Sequence, residues 1–150
     1  MVVHKYRMLK GTWGIAINIY GAVYDYDVYV KNNCNFQNEN VSDICEGVSV
    51  YFDPEKNENI GPNDAYNEMN PDDYPYVIEG MKNVSQQIKA NADFKKTLIV
   101  ITRLEFNPCH FQEEGLIAAS MEWCGKAFHF SCPQIEARFQ KDINKYIYDF

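Results

Sequence analysis

The chain has 150 residues and a formal net charge of −7, with eleven tyrosines, nine phenylalanines and five cysteines. That length suits one domain spanning 1–150, large enough to bury a core without a metal or disulfide staple. The negative balance argues against direct nucleic-acid binding, and no stretch nears the roughly 20 apolar residues that cross a bilayer.

The N-terminal MVVHKYRMLKGTW lacks the apolar centre and small-residue cleavage site of a secretory leader, so the cytoplasm is the expected location. Strand signals follow. In WGIAINIY, positions 13, 15, 17 and 19 are apolar, which is the period of two of a strand. Gly21 interrupts, and AVYDYDVYV then alternates again, with Asp25 and Asp27 on the outward side. Two alternating runs around a glycine predict a hairpin with one wet face. After the polar run KNNCNFQNEN, VSVYF at 48–52 is a short strand.

From Asp53 to Pro75 the composition is that of a loop, rich in Asn, Asp, Pro and Gly. A helix is expected next, because Val77, Met81, Val84 and Ile88 recur at helical spacing, with Pro71-Asp72-Asp73 at its positive head. KTLIVITRLEF at 96–106 is the strongest strand. Its first half is apolar on both faces and belongs at the centre of a sheet, and its second half turns Arg103 and Glu105 outward. A second helix runs from FNPCHFQEEGL to about Phe128, with Asn107 as cap, Pro108 in the first turn and Glu113 and Glu114 near the dipole's positive end. Gly115 weakens that helix interior by about 1 kcal/mol relative to Ala, unless it allows close packing on a strand. IEARFQ, a turn at 141–144 and KYIYDF predict a C-terminal hairpin.

The resulting order is β-β-β-α-β-α-β-β, an α+β fold with a mostly antiparallel sheet and two helices packed on one face.

Chemistry is sparse. Phosphate-binding glycine motifs, a nucleophile elbow and the H-E-x-x-H zinc motif are all missing. Cys109-His110 is the nearest approach to a thiol catalyst, and a small enzyme using Cys109/His110, with or without zinc, is the alternative function. Adjacent residues do not face each other, however, and a nucleophile needs its base in hydrogen-bond reach. Cys109, His110, Cys124, His129 and Cys132 could ligate zinc, but only His129-x-x-Cys132 has a suitable spacing. Neither a metal nor another cofactor is expected.

The charge is regional. Residues 39–73 hold ten acids against Lys56, a net −9, which leaves +2 for the rest of the chain. Those acids are Glu39, Asp43, Glu46, Asp53, Glu55, Glu58, Asp64, Glu68, Asp72 and Asp73, and Tyr51, Tyr66, Tyr74 and Tyr76 lie among or beside them. Carboxylates around tyrosine anchors suit a basic protein partner, steered in by long-range attraction. These fourteen residues are the candidate partner-binding site.

With its size, its lack of catalytic motifs, its Asn- and Tyr-rich acidic loops and its FNPCHFQEEGLIAASMEW block, the chain resembles the small acidic immunity proteins of bacterial polymorphic-toxin and contact-dependent growth inhibition systems. The resemblance runs over the whole chain and transfers no signature residue. It implies a cytoplasmic, non-enzymatic protein that binds and blocks one cognate toxin domain, often a nuclease.

Overall fold

A computed structural model describes residues 1–54 and 69–150. In chain order these residues form β1 (Val2–Leu9), β2 (Gly14–Asp25), α1 (Tyr26–Asn32), β3 (Val41–Cys45), β4 (Val48–Phe52), α2 (Tyr74–Asn83), α3 (Ser85–Asn91), β5 (Thr97–Phe106), α4 (Glu113–Phe128), β6 (Glu136–Gln140) and β7 (Lys145–Asp149). The class is α+β. Strands β1 to β5 make one sheet in the order β1-β2-β5-β4-β3, and β6 and β7 pair separately. The pairing is antiparallel throughout except between β4 and β5, which run parallel, so the main sheet is mixed rather than simply antiparallel.

Three elements depart from the expected order. The hairpin lies between β1 and β2, not around Gly21. Gly21 sits within β2 at a shift in register against β5, where an added Cβ would come 2.7 Å from Val100 O and 2.9 Å from the Trp123 ring. The second alternating run does not continue as a strand. The Asp25 carboxylate accepts from Val28 N at 3.2 Å and caps α1, so Asp25 and Asp27 belong to a helix start and not to a wet strand face. Helical winding buries Tyr29 with Tyr51, Leu98 and Val100 and leaves Val28 outside. Finally, Val41–Cys45 pairs on β4 as an edge strand, with Gly47 at φ +79° in the tight turn between them.

The helix expected from Val77 to Ile88 is broken in two at Val84, although all four signal residues are fully buried. Four α-helices thus replace the expected two. α2, α3 and α4 cover one face of the sheet, and α1 covers part of the other.

β5 lies centrally, as its sequence predicts. Ile99 and Ile101 join the larger core beneath the helices, and Leu98 and Val100 join the smaller one beneath α1. The extra residue at Thr102 reverses the alternation, so that Leu104 returns to the helix side and Arg103 and Glu105 turn away. Gly115 does allow α4 to approach the sheet closely, since a Cβ there would meet Ile15 Cγ2 at 3.0 Å and Ile17 Cδ1 at 3.1 Å. The C-terminal hairpin forms as expected, with Asn144 at φ 56° in its turn. No helix among the described residues is long and apolar enough to cross a membrane.

Candidate functional site

The parallel pairing of β4 and β5 decides where the acidic residues go. β4 ends at Phe52 beside Ile101, and Asp53 N donates to Ile101 O at 2.9 Å, so Asp53 emerges at the chain end of β4, beside the middle of β5. Val41 pairs opposite Tyr51, which places Glu39 at the same end. Tyr74 stacks on Phe52 with ring centroids 3.9 Å apart and planes within 4°, pinning the start of α2 there too. A short 3-10 turn, Pro71–Asp73, leads into α2, and Asn70 caps it by accepting from Asp72 N at 3.0 Å. Asp72 and Asp73 therefore stand beside the chain end of β4. Glu113, in the first turn of α4, is close enough to Asp73 to act on its titration.

The electrostatics of this end follow. Burial first, then the charges of Glu113 and Asp72, push the Asp73 carboxyl above the usual carboxylate range. Burial and the neighbouring Asp53 raise the Tyr29 phenol to about 12, and its hydroxyl lies 3.4 Å from Asp53 Oδ2. Among the described residues, none of Glu39, Asp53, Asp72, Asp73 or Glu113 has an ion-pair partner.

A carboxyl raised in the folded state contributes full stability below its unfolded value and loses it as pH rises through the folded value. The Asp73 carboxylate therefore costs stability at neutral pH. Asp73→Asn is expected to raise the free energy of unfolding at pH 7, and with it the melting temperature, by under about 1 kcal/mol because solvent screens a partly exposed group. The gain should vanish near pH 3, and an equal gain at both pH values would refute the assignment.

The other expected site residues are dispersed. Asp43 is on the edge strand and accepts from Ser49 Oγ at 3.3 Å, and Glu46 pairs with Lys89 of α3 at 3.4 Å on the surface. Tyr74 and Tyr76 are half-buried against the core. Tyr51 is a correction: it is only 8% exposed, turned into the smaller core against Phe36 and Tyr29, because β4 is covered on both faces. Glu55, Glu58, Asp64, Tyr66 and Glu68 lie outside the described residues.

FNPCHFQEEGL divides into two structures. Asn107 is a cap, but of a 3-10 turn, Pro108–His110, where its side chain accepts from Cys109 N at 2.9 Å. Phe111 stacks on Phe106 at 3.8 Å, and α4 begins only at Glu113. The helix start thus lies five residues later than expected, because the extended Phe111-Gln112 pair must first reach the C-terminal hairpin. Gln112 is buried. Its amide donates to Tyr146 O at 2.7 Å and accepts from Tyr146 N at 2.9 Å, so one side chain stands in for a neighbouring strand. Sequence reasoning missed this role, and a polar residue between Phe111 and the acidic first turn gave little sign of it.

Cys109 and His110 are both exposed, and among the described residues neither the Cys109 thiol nor the His110 ring bonds to another side chain. His129 and Cys132 lie at the far end of α4, which at 16 residues measures about 24 Å. Cys124 between them is fully buried, and burial raises its thiol strongly. No three His, Cys, Asp or Glu side chains among the described residues gather as a metal site.

Fold and site together define a small mixed α+β domain with an acidic end. No protein-family model matches the chain, and no curated protein matches it.

Proposed function

We propose that the protein is a non-enzymatic inhibitor of the immunity type, which binds the basic surface of a cognate, nuclease-type toxin domain with its acidic end. The observation that carries this reading is the gathering of Asp72, Asp73 and Glu113 where α2 and α4 begin, with Asp53 at the chain end of β4 turned to Tyr29 on the other face of the sheet, and none of these acids ion-paired among the described residues. A basic partner supplies the missing countercharge, and the raised Asp73 carboxyl is a group that such a partner stabilises in its charged form. Phosphate-cleaving clefts are positive because they must hold phosphate. Glu39, at the same end, extends the acidic surface towards the edge strand.

The test is a pull-down of the product of the neighbouring gene, followed by titration calorimetry with Asp53, Asp72 and Asp73 changed together to Lys. Loss of each close charge pair at an interface costs from about 1 kcal/mol upward. The triple variant is therefore expected to weaken binding by about a hundredfold or more. The reading fails if the neighbouring product is no toxin, or if the triple variant binds it unchanged.

A further inference from the structure

No further inference is drawn: the strongest candidate, the apolar depression of about 580 Å³ beside the turn between β1 and β2, lined by Met8, Leu9, Ile15, Ala16 and His110 among others, is an unpartnered surface, and nothing in the structure shows what covers it.

Discussion

Changing Gln112 to Leu is expected to release the C-terminal hairpin from the body of the protein. The Gln112 amide is the hydrogen-bond partner of both backbone groups of Tyr146 in a buried setting. Leucine fills a similar volume but leaves a buried N–H and a buried C=O with nothing to bond. Each such group costs about 1–3 kcal/mol, so the loss should reach about 2–5 kcal/mol, a large part of the stability of a domain this size. Because Tyr146 also donates to Trp13 O at 2.7 Å and accepts from Lys10 N at 2.8 Å, loosening β7 loosens the turn between β1 and β2. Hydrogen exchange should show the amides of β6 and β7 exposed first, before those of β5. Gln112→Glu separates this cause from simple loss of packing. A carboxylate still accepts from Tyr146 N but cannot donate to Tyr146 O, whereas its protonated form can do both. The Glu variant should therefore regain stability as pH falls, and a Glu variant as stable as the parent at neutral pH would contradict the role given to the amide.

The second large effect concerns Gly80. α2 crosses α4 so closely there that a Cβ on residue 80 would overlap both Ser120 Oγ and Ile117 O. The second obstacle is backbone and cannot rotate aside, so the helices must separate. Overpacking of this kind costs about 1–3 kcal/mol and sometimes more, against a gain of about 1 kcal/mol from the better helix propensity of alanine. Gly80→Ala is expected to lose about 2 kcal/mol net in denaturant unfolding, placed at the upper part of that range because the contact is with main chain. Adding Ser120→Gly removes the hydroxyl but not Ile117 O, so rescue should be partial. A Gly80→Ala variant more stable than the parent would show that the two helices are free to move apart.

How much was legible in the chain depended on which forces acted on each residue. The apolar doubling of Leu98 to Ile101 signals burial on both faces, and the structure buries them so. The hairpin at 136–149 was readable because alternation and turn residues agree. The run from Ala22 to Val30 was not, since Tyr and Val at alternate positions describe a strand as well as they cover a one-turn helix face. The Asp25 cap and the burial of Tyr29 tipped the balance. The helix through Val84 was correctly placed on the core by its period, but period alone does not reveal a break between two short helices that share one apolar stripe. The acidity of residues 39–73 was plain in the sequence. That Tyr51 would leave that surface for the core, and that Glu113 would join it, required knowing that β4 and β5 run side by side.

The sequence by itself determined the class of fold, the central place of 97–106, the C-terminal hairpin and the sign and location of the excess charge, because these follow from local periodicity and composition. Only the tertiary structure decided that Glu113 comes beside Asp73, that Tyr51 turns into the smaller core, and that Gln112 completes β7. Those outcomes rest on strand order and register, which arise from pairings between residues far apart in the chain, where no local pattern records them.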